Sequence, residues 1–276
     1  MNSMDLGRTL RELREADGKE AKAVARSAAM SPSKLSKIEN GRLAPSVIDV
    51  ERILSALDMP AEVKARLTEA ARMVATEVTA WRIYRRTGLH KHQEEIRAIE
   101  ARTSLLRVFQ ASCIPGLLQS PEYVRAVQQN SELTEDALEK MIGARMRRQE
   151  VLYDRQRTFH FLITESVLRW ELIRPPMMAA QLDKLVTMSR MPNIAIGVVP
   201  QSAPKEDLPT CSFVMFDNRL VIVEIPHSEI TTSDPRDVEQ YMRKFDGFEH
   251  LALTGDVMRS MVESIRDGFL REQETS

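Results

Sequence analysis

Apolar residues recur at helical spacing through the first 73 positions of the chain and then give way to shorter, strand-like runs. Leu6, Leu10 and Leu13 stand at i, i+4 and i+7, which predicts an amphipathic helix closed by Gly18. An Ala-rich stretch over residues 20–28, with Val24 and Ala25 inward, predicts a second helix that stops near Met30. Ser31-Pro32 then supplies an N-cap and a proline at the first helical position, and the helix it opens, with Leu35 and Ile38 apolar, ends at Asn40-Gly41. Ser46 opens a fourth helix, with Asp49 placed to accept orphan N–H groups and Val47, Val50, Leu54 and Leu57 buried. A fifth runs from Pro60 to about Met73.

Periodicity fades between Met73 and His92, where Trp81-Arg82-Ile83-Tyr84-Arg85-Arg86 reads as a basic, aromatic connector. Beyond it the pattern alternates. Helices are predicted over residues 97–103, from Ser120-Pro121, from Thr134 to about Leu152, and over 177–188. Strands are predicted over 105–111, 159–164, 193–199, 211–216 and 220–225, and two helices, 235–245 and 256–270, close the chain. The expected architecture is α+β: an all-α, five-helix domain over 1–73, the connector over 74–94, and a mixed α+β domain over 95–270.

Composition narrows the function classes. Hydrophobic residues make up 43% and charged residues 29% of the 276, so the chain can build a packed core. The longest apolar stretch, Ile194 to Val199, falls far short of the ~20 residues of a spanning helix. The first ten residues lack a secretory apolar region, and only Cys113 and Cys211 are present, so a cytoplasmic protein is expected. The net charge of −1 hides an asymmetry: residues 1–107 carry 20 Lys and Arg against 15 Asp and Glu, and residues 108–276 carry 19 against 25. A basic first part fits a module that meets a polyanion.

Helices two and three meet across Ala28-Ala29-Met30, a connection short enough for the sharp angle of a helix-turn-helix. Such a turn holds a helix away from the body, where its N-terminal side chains can enter a DNA major groove ~12 Å wide. The third helix carries Ser31, Ser33, Lys34, Ser36 and Lys37 on its polar side. The run Ser31-Pro32-Ser33-Lys34-Leu35-Ser36-Lys37-Ile38-Glu39-Asn40-Gly41 resembles the recognition helix and exit of the Xre, or phage-repressor-like, regulators. Leu10, Leu13, Arg14, Val24, Ala25 and Pro45 also fall where that family's pattern puts them.

The resemblance implies an Arg14–Glu39 pair that holds helix one to helix three. It implies base-facing roles for Pro32, Ser33 and Lys37 and backbone roles for Ser31, Asn40 and Arg42, and Lys34 joins the candidate DNA-binding residues from its place on the same polar side. Two positions depart from the pattern: Ala21 stands where the family has a phosphate-touching Gln, and Ala29 stands at the usual turn Gly.

Residues 95–265 resemble the C-terminal domain of actinomycete regulators of the WhiJ type. The resemblance is carried by Ile114-Pro115-Gly116-Leu117-Leu118-Gln119-Ser120-Pro121-Glu122-Tyr123, Ala144-Arg145-Met146-Arg147-Arg148-Gln149, Glu165-Ser166-Val167-Leu168-Arg169, Gln181-Leu182 and Pro192-Asn193-Ile194. It implies a domain that receives a signal, through a small partner protein encoded nearby or a ligand. Arg145, Arg147 and Arg148 are the candidate residues for that contact, with a solvated helix face as the alternative.

Other groups carry less. His90 and His92 lack companions at metal-ligand spacing, so no metal site and no cofactor are expected. Glu165 and His160 are read as structural, because no nucleophile with an orienting partner accompanies them. Cys113 and Cys211 are read as small apolar residues, with a redox sensor as the alternative.

The chain lacks a Gly-rich phosphate loop, His-Glu-x-x-His and Gly-x-Ser-x-Gly, and a non-enzyme is expected. The sequence thus predicts a transcriptional regulator, a repressor by default, that binds double-stranded DNA at a palindromic operator as a homodimer. The rival reading is an antitoxin-like or adaptor protein that sequesters a small partner and autoregulates.

Overall fold

The computed structural model describes residues 3–80, 88–131, 133–204, 207–225 and 228–274. The chain is α+β, a helical N-terminal region followed by helices on a mixed sheet. It divides into two compact units, residues 1–78 with 230–238 and residues 79–229 with 239–276. Trp81 to Arg86, the expected basic aromatic connector, lies outside the described residues. Among the described residues, no helix is long and apolar enough to cross a membrane.

The first unit holds α1 (Ser3–Ala16), α2 (Ala21–Ser27), α3 (Pro32–Glu39), α4 (Val47–Ala56) and α5 (Ala61–Ala75). Their apolar faces share one core: Leu6 and Leu10 of α1, Val24 and Ala25 of α2, Leu35 and Ile38 of α3, and Val50, Ile53 and Leu54 of α4 are all buried.

The helices start and stop by local chemistry. The Ser31 Oγ accepts the Lys34 N–H at 3.1 Å ahead of Pro32. Ser46 and Asp49 form a reciprocal capping box, each side chain accepting the other's backbone N–H, at 3.1 and 3.2 Å.

Four of the exits turn in the left-handed region, at Gly18, Ala29, Gly41 and Asp58. After α3 the Gly41 N–H reaches the Ile38 carbonyl at 3.0 Å and the Arg42 N–H reaches the Lys37 carbonyl at 2.8 Å, the paired bonds of a Schellman motif. The same two bonds close α2, with Ala29 at φ 52° in the position that favours glycine. A Cβ there costs on the order of 1 kcal/mol.

The second unit holds α6 (Leu89–Glu100), β2 (Leu105–Gln110), α7 (Pro121–Val127), α8 (Glu135–Arg148), β3 (Thr158–Thr164), α9 (Glu165–Arg169), α10 (Pro175–Met188), β4 (Ile194–Val199), β5 (Phe213–Phe216) and β6 (Leu220–Ile225). It also takes in most of α11 (Pro235–Leu251) and all of α12 (Gly255–Glu274). Two short strands, β1 (Thr76–Ala80) and β7 (Ser228–Thr232), fall where the chain passes between units.

Strands β2, β3 and β4 run parallel, and β5 and β6 extend the sheet antiparallel from β2. Strand alternation sorts side chains onto two faces. Leu106, Val108, Phe159, Phe161, Ile194 and Ile196 join the core that α10 and α12 cover with residues such as Leu182, Leu185, Met258 and Val262. On the opposite face Phe109 stacks on Phe248 of α11, ring centroids 4.2 Å apart.

The stretches flagged in the sequence meet in a buried polar network. Gln119 donates to the Ile114 carbonyl at 2.6 Å, and Gln181 donates to the Leu118 carbonyl at 2.8 Å and accepts the Ser120 N–H at 2.6 Å. The Gln149 amide donates to the Gln119 carbonyl at 2.8 Å, and Lys184 adds a bond to the same carbonyl at 2.9 Å. Asn193 satisfies the carbonyls of Leu152 and Asp154. The three glutamine amides replace the backbone partners that the irregular segment 114–120 lacks.

Two stability predictions follow from this chemistry. Burial raises the Asp49 pKa, but hydrogen bonds from Lys34 and Ser46 outweigh it and hold the carboxyl below its ordinary value. A depressed carboxylate stabilises the fold above its unfolded pKa of about 4 and loses that contribution as pH falls through the folded value. Asp49→Asn is therefore expected to cost the first unit roughly 1 kcal/mol at neutral pH. The gap to wild type narrows in urea titrations as pH drops below about 4; a gap constant with pH contradicts this.

The second concerns Arg148, which grips Glu100 with bonds of 2.6 to 2.9 Å while the two side chains are 12% and 1% exposed. Arg148→Met alone should lose about 3 kcal/mol in urea unfolding, and pairing it with Glu100→Met should recover most of that loss.

Candidate nucleic-acid interface

The two helices of the turn are held by α1 from behind. Gly7 of α1 lies so close to α3 that a Cβ there would sit 2.1 Å from the Ile38 carbonyl oxygen, so only glycine permits the approach. About two helical turns further on, Arg14 clamps the end of α3. Its Nε and Nη2 donate to the two Glu39 carboxylate oxygens at 2.7 and 2.9 Å, and its Nη1 reaches the Lys19 carbonyl at 3.2 Å. Both side chains are largely withdrawn from water, at 13% and 6% exposure. The Arg14 pKa is raised, first by its hydrogen bond to Glu39. The pair expected from the family pattern is thus formed, and its role is to seat α3.

With Leu35, Ile38 and Glu39 turned inward, Ser31, Pro32, Ser33, Ser36, Lys37 and Asn40 are exposed along the other side of α3, and Arg42 is exposed just past its end. Ser31 is occupied as the N-cap. Asn40 caps the helix end, its Nδ2 donating to the Ser36 carbonyl at 2.7 Å, and its Oδ1 accepts from Arg11 at 3.5 Å.

Lys34 departs from its neighbours: its Nζ lies 2.6 Å from the buried Asp49 carboxylate, which ties α3 to the capping box of α4. Lys37 and Arg42 are drawn into no such ion pair among the described residues, so their charges face solvent. Gly7 and the Lys34–Asp49 bond escaped sequence reasoning. The crowding at Gly7 depends on a neighbour 31 positions away, and a lysine and an aspartate 15 apart look like any two surface charges.

The three arginines of α8, alike in sequence, separate in the structure. Arg147 is exposed. Arg148 is committed to Glu100 and also donates to Gln93 at 3.0 Å. Arg145 is turned inward, its Nη1 donating to the Gln119 side chain at 2.8 Å while its Nε is buried without a partner.

Glu165 accepts the Gln201 N–H at 2.8 Å and pairs with Arg169 at 2.6 Å. His160 packs edge-on against Phe245, with Glu249 3.6 Å from its ring, and burial lowers its pKa. Burial pushes the Cys113 thiol up to about 11, which leaves it protonated and a poor nucleophile at neutral pH.

No curated protein matches the sequence. Among solved structures, NucT from Helicobacter pylori is similar over 65% of this chain and 98% of its own, at 9% identity and a TM-score of 0.39. TrmBL2, described as an archaeal chromatin protein with a novel mode of DNA binding, is similar over 74% of this chain and 66% of its own, at 15% identity and a TM-score of 0.34. Nuc from Salmonella typhimurium, a phospholipase D family member, is similar over 65% of this chain and 98% of its own, at 10% identity and a TM-score of 0.34.

The expectation of a non-enzyme, drawn from missing motifs, is withdrawn: NucT and a phospholipase D family member stand among the similar structures. Local motifs are a poor guide to that question, because catalytic side chains converge in space from distant positions. At these TM-scores the likeness assigns neither an activity nor a residue to this chain. The family described as a helix-turn-helix domain matches residues 5–67. The family described as Domain of unknown function (DUF5753) matches residues 93–264, well over half of the chain, and the protein belongs to that family, with a helix-turn-helix domain ahead of it.

Proposed function

We propose that the protein is a sequence-specific transcriptional regulator of the Xre type, a repressor that binds a palindromic operator as a homodimer and is controlled through a WhiJ-like C-terminal domain. The helix-turn-helix match supports a DNA-binding regulator. The observation that carries the finer reading is the exposed side of α3, where Ser33 and Lys37 stand free on a helix that Gly7, Arg14 and Glu39 seat against α1.

In this reading residues 1–73 form the DNA-binding domain, 74–94 the connector and 95–270 the domain that receives a ligand or a small partner protein. Ser33 and Lys37 read base edges, Lys37 as a donor to guanine, with Pro32 packed against them. Ser31, Asn40 and Arg42 meet the backbone, and Lys34 adds a phosphate contact only by sharing its ammonium between DNA and Asp49. Two copies placed with half-sites ~34 Å apart match the two-fold symmetry of a palindrome.

The test is capture of fragmented genomic DNA on the full-length protein at two salt concentrations. Wild type should enrich a small set of palindromic sites. The Ser33→Ala/Lys37→Ala double variant should bind those sites roughly 10- to 100-fold more weakly while keeping its salt-dependent non-specific binding. Arg42→Ala should weaken all sequences alike and reduce the salt slope by about one. Equal enrichment of the same sites by wild type and the double variant would overturn the assignment.

A further inference from the structure

The second unit contains a cavity of about 610 Å³ between α6, α8 and the ends of β2 and β6. That volume falls within the range of ~300–1,000 Å³ that accommodates small organic ligands. Its lining mixes apolar residues, Leu89, Met141 and Ile225, with Arg145, Gln110 and Glu224. A smaller cavity of about 110 Å³ shares Arg145, Gln110 and Glu224 with it and has Val108 and Phe161 of the sheet on its wall, with His92, Arg148 and Glu229 also lining it. Arg145 therefore stands where the two cavities meet, facing the apolar sheet wall of the smaller one.

Arg145 is out of balance with its surroundings. Its one hydrogen bond among the described residues goes to the neutral amide of Gln119, and its Nε is buried without a partner. A buried guanidinium is normally matched by an anion, because an uncompensated buried charge is strongly destabilising. Three residues along the same helix, Arg148 has that match in Glu100.

The carboxylate that acts on Arg145 through space is Glu224, which forms no direct ion pair with it. Glu224 stands exposed on β6 at the wall of the same cavity. Arg145 and Glu224 thus face a shared space with no ion pair between them among the described residues.

We propose that this cavity binds a small zwitterion of the α-amino-acid class with an apolar side chain. The ligand's carboxylate meets the cavity-facing edge of Arg145, its ammonium meets Glu224, and its side chain enters the smaller cavity against Val108 and Phe161. Gln110 also lines the cavity and offers a further hydrogen-bonding group. The depressed pKa of Arg145, caused first by burial, is in keeping with a cation that lacks its counter-charge. This inference supplies the signal for the regulator reading above, but the binding itself is independent of DNA.

The test is calorimetric titration of the full-length protein, without DNA, using L-valine, L-leucine, L-isoleucine, L-methionine and L-phenylalanine, followed by the amide and the N-acetyl derivative of whichever binds best. At least one amino acid should bind and raise the melting temperature. The amide, which lacks the carboxylate, and the N-acetyl form, which lacks the ammonium, should each bind at least about tenfold more weakly. Arg145→Met should abolish binding, and Glu224→Gln, at an exposed position that the fold does not rely on, should weaken it at least about tenfold. Arg147→Met, on the outer side of α8, should bind as wild type does.

Absence of heat and of stabilisation with all five amino acids would overturn the proposal. So would undiminished binding by Glu224→Gln, or equal binding of the N-acetyl form. Failure of DNA capture leaves these results standing, and failure of these titrations leaves the DNA reading intact.

Discussion

The seating of α3 on α1 is the constraint on which the N-terminal unit depends. Two features enforce it: a glycine where any side chain would strike the Ile38 carbonyl, and a bidentate Arg14–Glu39 pair, largely withdrawn from water, at the far end of the same contact. The glycine sets how near the helices come, and the ion pair sets where α3 ends. Breaking one half of the pair strands the other charge in a poorly solvated place, at a cost of about 3–5 kcal/mol, so the geometry is strongly enforced. The Lys34–Asp49 bond then links α3 to α4 on the other flank. A short helix of eight residues, too short to be stable alone, becomes a rigid platform because its neighbours hold both ends.

The C-terminal unit is organised around a different problem. The segment 114–120 is irregular and largely buried, and the side-chain amides of Gln119, Gln149 and Gln181 satisfy its backbone groups. Buried polar networks specify a structure when every member is satisfied. Most members here are, the buried Asn193 Oδ1 and Arg145 Nε being left without a partner among the described residues. Arg145 sits at the edge of the network with a neutral partner on one side and a cavity on the other.

Much of this was legible in the sequence where the chemistry is local. Ser31-Pro32, Ser46 with Asp49, Ser120-Pro121 and Thr134 each announced a helix start, and each forms a cap in the structure. The demand for a left-handed residue at Ala29 was also readable, since the turn is built from its immediate neighbours.

Where tertiary contacts decide, the pattern misled. Helix α6 begins at Leu89 rather than near Arg97, because its first turns bury His92 and Gln93 instead of an apolar stripe. Strand β7, Ser-Glu-Ile-Thr-Thr, buries Ser228 and Glu229 and offers no hydrophobic run to read. The three arginines of α8 are equivalent in sequence, and only packing distinguishes the exposed, the paired and the unmatched one. The absence of catalytic motifs decides nothing about activity, for the same reason: a site assembled in space leaves no local spacing behind.

The most direct test of the central claim, that α3 and its exit are the surface that meets DNA, is hydrogen–deuterium exchange of the full-length protein with and without a captured duplex. The account predicts slowed exchange concentrated in residues 31–42, with the α1 contact behind them unchanged. Protection confined to the C-terminal unit, with α3 exchanging as it does in free protein, would contradict it.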